Sequence, residues 1–334
     1  FRTAAVIVAM GLTASCERAL DDATLTRESE EAEQAETTAR ERFGTGDERT
    51  SWTLTVTGRV PSTVVLPFRE VERLATTEYL AKPTNETADP PPARFRGAKL
   101  SDLLTRAQAP SDAAEVTLVA NDGFRATFAA ADVQAYPVML SILWDGVPIT
   151  RSRGGPLFTT LPNFTEPAIE ERYSYSWWVF YVTHLVVDTA PVAIRVGDCT
   201  LSASELAALP QSEIAVRHGF RVGWPSGELR IAGVRVRDAL AACNAALGPE
   251  DRARVRVMAP VPDGDDHAVR LDAEAIATTD VLLGLRFGAD DQPIPGRLGG
   301  PVVLAFPPGA TEGSSQSEWP TYVRGLDIER GGER

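Results

Sequence analysis

From Ser51 onward the chain alternates apolar and polar positions in short runs broken by turn residues. Trp52-Thr53-Leu54-Thr55-Val56-Thr57-Gly58 has the period of two of a half-buried strand, and Val64-Val65-Leu66 follows after Pro61. Pro67 to Leu74 predicts a short helix with Val71 and Leu74 inward, and Lys82 to Arg94, with four prolines, predicts a loop. Phe95 to Leu100 leads into Ser101-Asp102-Leu103-Leu104, which reads as a capped helix start. Glu115 to Val119 predicts a strand, Asn121-Asp122-Gly123 a turn, Arg125 to Phe128 its hairpin partner, and Ala130 a helical turn. Met139 to Trp144 and the turn Asp145-Gly146 precede Arg153-Gly154-Gly155-Pro156-Leu157-Phe158, a tight turn feeding a buried strand. Tyr173 to Val182, running into His184-Leu185-Val186-Val187, predicts one long closing strand.

The same landmarks recur. Leu298-Gly299-Gly300-Pro301-Val302 repeats the glycine pair, and Ile231 to Leu240 repeats Phe95 to Leu104 with Gly233 on Gly97 and Asp238 on Asp102. Thr200-Leu201, Glu205 and Leu209 match Val65-Leu66, Glu70 and Leu74, each 135 positions later. Asp263-Gly264 answers Asp122-Gly123, Pro293-Ile294 answers Pro148-Ile149, and Trp319 and Tyr322 answer Trp178 and Tyr181. The order predicts two tandem copies of one β-rich α+β domain, 51–190 and 191–330.

Composition adds bounds. With 334 residues, 43% of them hydrophobic, each half can bury a core. A net charge of −13 argues against nucleic acid or an anionic membrane surface as partner. Residues 1–16 hold an apolar run, Ala4 to Leu12, then Thr13-Ala14-Ser15-Cys16: the length of a signal-peptide core followed by a lipobox-like site, with Cys16 as lipidation residue. A start at Phe1 leaves Arg2 as remnant of a basic leader, so the expectation is an exported, periplasmic or cell-surface protein held at the membrane by an N-terminal lipid anchor only. Residues 17–50, rich in Glu, Thr, Ala and Arg, predict an acidic disordered tether. Cys199 and Cys243 could pair or remain as buried thiols, with Cys199 read as lying in its repeat's first strand and Cys243 inside a helix. His184, His218 and His267 are too scattered for a His-rich metal site. No Ser-His-Asp set, P-loop or dinucleotide fingerprint is present.

A Gly-ended first strand, a short helix ending in Leu, Phe-x-Gly-x-x-Leu-x-Asp-Leu-Leu, Asn-Asp-Gly, Asp-Gly-x-Pro, Gly-Gly-Pro-Leu and a Trp-bearing last segment resemble, in that order, the sulfite-oxidase type molybdopterin-binding domain. Residues 51 to 188 look like its small exported members, and the second repeat resembles it at lower fidelity. The resemblance implies an oxidoreductase fold in which molybdenum is held by the pterin sulfurs and one cysteine placed between the first helix and the Phe-x-Gly helix. Here that interval, Leu74 to Phe95, contains no cysteine, nor does Leu209 to Ile231. The expectation is therefore a pterin or molybdopterin ligand without molybdenum.

A flat polar heterocycle needs an aromatic wall and a few placed polar groups. Candidate cofactor-binding residues are Asn121, Asp122, Arg153, Gly154, Gly155, Asn163, Tyr175 and Trp177, with no catalytic or metal-binding residue. Each has a plainer reading: Asn121-Asp122-Gly123 as a hairpin turn, Arg153 as a solvated charge, the glycines as backbone devices, Trp177, Trp178 and Phe180 as core, His184 as a satisfied strand residue. The second repeat, with Pro262, Asp263, Leu298, Pro308 and Gly313 to Gln316 at the matching places, is expected to have lost the pocket and to be structural or to contact a protein partner. The alternatives are an active molybdenum-cofactor oxidoreductase using an oxygen ligand such as Thr77 or Thr84, and a structural, partner-binding lipoprotein.

Overall fold

The computed structural model describes residues 48–83, 91–218, 224, 227–259, 269–310 and 319–330. The leader, Cys16 and nearly all of the expected tether lie outside the described residues, as do Thr84, Pro262, Asp263, His267 and Gly313 to Gln316. All elements below belong to the unit Arg49–Arg334.

The first half contains β1 (Thr53–Gly58), β2 (Val64–Pro67), α1 (Phe68–Leu74), β3 (Thr77–Ala81), β4 (Ala93–Lys99), α2 (Leu100–Arg106), β5 (Glu115–Ala120), β6 (Arg125–Ala129), α3 (Ala130–Ala135), β7 (Met139–Trp144), β8 (Val147–Pro148), β9 (Phe158–Thr160), α4 (Pro167–Glu170) and β10 (Val182–Val187). They form two sheets. One has the order β2-β1-β10-β5-β6, with β1 and β10 parallel; the other runs β3-β4-β7-β8, with β9 also on β7. Leu54 and Val56, two apart on β1, are fully buried as the alternation predicts.

The second half contains β11 (Ala193–Val196), β12 (Cys199–Ser202), α5 (Ala203–Ala208), β13 (Gln211–His218), β14 (Gly227–Arg235), α6 (Val236–Ala242), β15 (Ala253–Met258), β16 (Arg270–Asp272), α7 (Ala273–Thr278), β17 (Leu282–Phe287), β18 (Gln292–Pro293), β19 (Val303–Ala305) and β20 (Gly325–Arg330). Its sheets run β12-β11-β20-β15-β16 and β13-β14-β17-β18, with β19 on β17 and β11 parallel to β20. Strand for strand, this is the order of the first half. Buried apolar side chains gather in two large clusters, one between Leu54 and Val187 and one between Ile194 and Leu326. Among the described residues no helix is long and apolar enough to cross a membrane.

Local irregularities repeat too. The β4–β7 register shifts between Arg96 and Gly97, and the β14–β17 register shifts between Ala232 and Gly233. A Cβ on Gly97 would stand 2.1 Å from the Leu140 carbonyl oxygen, and one on Gly233 2.0 Å from that of Leu283. The two strands close only over glycine. Gly97→Ala and Gly233→Ala should each destabilise by about 1–3 kcal/mol, the cost of forcing a methyl into a packed core. Urea unfolding of both variants checks this, and an unchanged midpoint would mean that the strand pairs can separate freely.

Four expectations need correction. The closing strand is short: only Val182–Val187 is extended, while Tyr175–Trp177 forms a 3-10 turn and Tyr181 takes a φ of 53°. The cause is aromatic packing, for the Trp177 indole N–H turns in to donate to the Thr127 carbonyl at 2.8 Å instead of alternating along a strand. Helix α2 starts at Leu100, whose N–H donates to Val138 O, and Ser101 does not cap it. Cys199 lies in the second strand of its half, and Cys243 stands just past the end of α6. These two are joined as a disulfide with Cα atoms 5.8 Å apart. The Ser202-x-x-Glu205 sequence also forms a capping box at α5, which the pattern reading passed over.

Candidate functional site

The turn after β8 delivers the first glycine pair. Arg151–Arg153 form a 3-10 turn, and Gly154 ends it with a φ of 91°. Gly154 must be glycine, because a Cβ there would meet the Phe180 ring at 2.5 Å; one on Gly155 would lie 2.0 Å from Ile149 O. The close approach these residues permit is made by the protein's own groups. Tyr181 then ties the region together: its N–H donates to Gly154 O at 2.8 Å, and its carbonyl accepts from the N–H of Asn121 at 3.0 Å. Asn121 and Gly154 are thus brought together, with the backbone of one residue between them.

An aromatic cluster lies beside this turn. Phe158 stacks on Phe180 with centroids 5.1 Å apart and packs on Trp178 at 5.7 Å and Phe95 at 6.0 Å. Trp144 lies 4.8 Å from Phe95, while Tyr175 lies 6.2 Å from Trp178 and 6.4 Å from Phe180. The half-buried Tyr175 phenol is raised above its ordinary pKa by lost hydration. Over the outer indole, Trp144, the guanidinium of Arg153 rests 4.0 Å from the ring centroid. Arg153 is exposed and its side chain makes no hydrogen bond or ion pair among the described residues, so its planar fork of donors is held by the ring. Arg151, two residues earlier, lies over Tyr181 at 4.3 Å and Trp52 at 5.4 Å.

The remaining candidates are committed elsewhere. Asp122 Oδ1 accepts from Phe124 N–H at 2.9 Å, closing the turn on itself. Asn163, buried after β9, clamps Lys82 at both ends: Oδ1 accepts from its N–H at 3.0 Å and Nδ2 donates to its carbonyl at 2.9 Å. Trp177 faces Tyr173, 5.8 Å away, on the side of Thr127. Tyr173 itself donates to buried Asp132 at 2.6 Å and accepts from Ala129 N–H, and burial followed by the bond to Asp132 pushes its phenol up to about 12. This network braces the aromatic turn. Asn163→Ala should cost about 1–3 kcal/mol, because its two hydrogen bonds to the Lys82 backbone are lost; an unchanged melting temperature would assign the clamp no weight.

The sequence pattern missed Trp144, Phe180 and Arg151. Trp144 ends the apolar run Met139 to Trp144, and nothing local tells that Arg153 folds back over it.

The donors present do not fit a cysteine-held molybdenum. Between Leu74 and Phe95 there is no cysteine, and both cysteines downstream of Cys16 are consumed in the disulfide. Thr77 is a β3 residue paired with Gly97. Among the described residues no three His, Cys, Asp or Glu side chains gather as a metal site. For a pterin the fit is partial: Arg153 on Trp144 and Tyr175 are accessible, while Asn163, Asp122 and the Trp177 N–H are occupied.

No curated protein sequence matches the chain. Among solved structures it is similar to the sulfane dehydrogenase SoxCD from Paracoccus pantotrophus, at 15% identity over 66% of this chain and 59% of that one, with a TM-score of 0.35. The chain thus spans less than two thirds of that relative's length. A sequence model described as the oxidoreductase molybdopterin binding domain matches residues 43–165. Residues 43–165 are thus similar to an oxidoreductase molybdopterin binding domain.

Proposed function

We propose that this is an exported, lipid-anchored protein of two tandem sulfite-oxidase-like domains, the first of which binds a pterin or related small molecule without redox metal chemistry. The carrying observation is a molybdopterin-binding domain match in a chain that offers no thiolate at the metal position and has its two downstream cysteines bonded to each other. The repeated strand order, the paired register shifts and the matching Gly-Gly-Pro turns support the tandem reading. Leu298 stands in the second half where Arg153 stands in the first, so the pre-oriented cation belongs to the first domain alone, and the second is structural or contacts a protein partner.

The pterin would supply a flat face and an edge of donors and acceptors. Arg153 is the residue placed to meet a carbonyl or phosphate oxygen, with Trp144 holding its plane and Tyr175 in the adjoining aromatic cluster. Calorimetric titration of the purified full chain with tetrahydropterin tests the reading, together with metal analysis of protein expressed with cofactor supply. Binding is expected, and Arg153→Ala should weaken it about tenfold, the loss of one charge-assisted contact. No heat at millimolar ligand would sink the pocket, and stoichiometric molybdenum would overturn the non-redox reading.

A further inference from the structure

A concave region lies where the two halves meet. A cavity of about 390 Å³ opens there, with Thr57, Thr63, Pro191, Pro301, Tyr322 and Arg324 in its lining. The outer face of β1 and β10 forms one wall, and the segment leading into β20 forms another. Arg324 has its backbone pinned on both sides, its N–H donating to Met258 O and its carbonyl accepting from Arg195 N–H. From there its side chain crosses to the first half, where Nη1 donates to Thr63 Oγ1 at 2.5 Å and Nη2 to Thr57 Oγ1.

Among the described residues that line this junction there is no Asp or Glu. Arg324 has no carboxylate within ion-pairing distance among the described residues. Neither has Arg125, which is 8% exposed, donates through Nη2 to Thr321 Oγ1 at 2.8 Å, lies 5.2 Å from the Tyr322 ring centroid and keeps its Nε buried without a partner. By contrast Arg59, Arg256 and Arg297 each have an acidic partner. Both unpaired cations are felt by one buried imidazole, His184, whose pKa is held down first by burial and then by Arg324 and Arg125. Arg125 is buried and so costly without a counter-charge, Arg324 is exposed and so accessible, and a ligand anion beside them offsets the positive charge of both. In a chain of net charge −13 this is a local inversion of sign.

We propose that this junction binds a small organic oxyanion, a phosphate or sulfate ester, whose charged group meets Arg324 beside the Thr57 and Thr63 hydroxyls and whose apolar body lies against Pro191 and Pro301. Arginine with hydroxyl donors suits a tetrahedral oxyanion, and the cavity is several times larger than a bare inorganic ion needs. The site takes one wall from each half, so its occupation also fastens the halves together.

The test is calorimetric titration of the full chain with phenyl phosphate, phenyl sulfate and inorganic phosphate, alongside NMR titration of the His184 imidazole. At least one ester is expected to bind, at least tenfold tighter than inorganic phosphate, and to raise the His184 pKa by offsetting its two cationic neighbours. Arg324→Gln should weaken ester binding at least tenfold, and Arg324→Lys less. Absence of ester binding at millimolar concentration, equal affinity for inorganic phosphate, or binding that leaves both His184 and the Arg324→Gln affinity unchanged would each overturn the proposal. Thr57→Val, which keeps the cation, should weaken binding without abolishing it; a variant that binds as well as the parent counts against the assigned hydroxyls.

Discussion

Replacing Cys199 and Cys243 together by Ser is expected to lower the unfolding free energy of the second half by about 4 kcal/mol. The bond closes a segment whose ends lie 44 positions apart, and cross-linking a loop of that length removes chain entropy from the unfolded state. It also joins two places that little else joins: β12, an edge strand, and the residue just past α6. Urea unfolding followed by the fluorescence of Trp224 and Trp319, with and without reductant, measures the effect. A midpoint that does not move on reduction would mean that the native bond confers nothing. Bonds of this kind persist in oxidising compartments, which supports the export proposed from the N-terminal sequence.

The same bond bears on the chemistry. A disulfide sulfur is not a thiolate ligand, so the pair adds no soft donor that could replace the missing cysteine of the first half. What the first half offers instead is a cation on an indole, suited to recognising oxygen on a flat ligand.

The backbone features were the legible part of this molecule. Gly97 and Gly233 recur at the same place in their halves, and each sits where a strand crosses a neighbour's carbonyl too closely for a Cβ. Asp122 reads as a turn residue and is one, accepting from Phe124 two positions on. Such features are local, so the residues that cause them lie beside the residues they shape. The site was less legible because its contacts are long-range. Asn163 looked like a free polar group after a strand, but its partner Lys82 lies 81 positions away. Arg125 and Thr321 are 196 positions apart, Arg324 and Thr57 267, and no periodicity within either segment announces the meeting. The Tyr173 to Tyr181 stretch misled for another reason. Its aromatics suit a strand by propensity, yet packing around Phe158 and the bond from Trp177 to Thr127 settle it as a turn.

Stability should fall as the solution is acidified from pH 6.5 toward pH 4, and His184 should carry about 3 kcal/mol of that fall. The imidazole is 8% exposed on β10, its Nδ1 lies 2.9 Å from Thr183 Oγ1, and its pKa is lowered from 6.5 to about 4. Burial is the main cause, and the charges of Arg324 and Arg125, which face it from the segment before β20 and from β6, add to it. Between these two values the unfolded chain takes up a proton that the folded chain refuses, so protons favour unfolding throughout that window. Above pH 6.5 both states are neutral at this position and the effect vanishes; below about pH 4 it has reached its full size. Carboxylates titrate in the same range, so the informative quantity is the difference between the parent and His184→Gln, a neutral polar replacement. The variant should lose the part of the acid slope that belongs to the imidazole, and parallel profiles from pH 7 to pH 4 would show that His184 is not held neutral. With a phenyl phosphate ligand at the junction the slope of the parent should also flatten, since an anion beside Arg324 makes the imidazolium easier to form and narrows the gap between the folded and unfolded values.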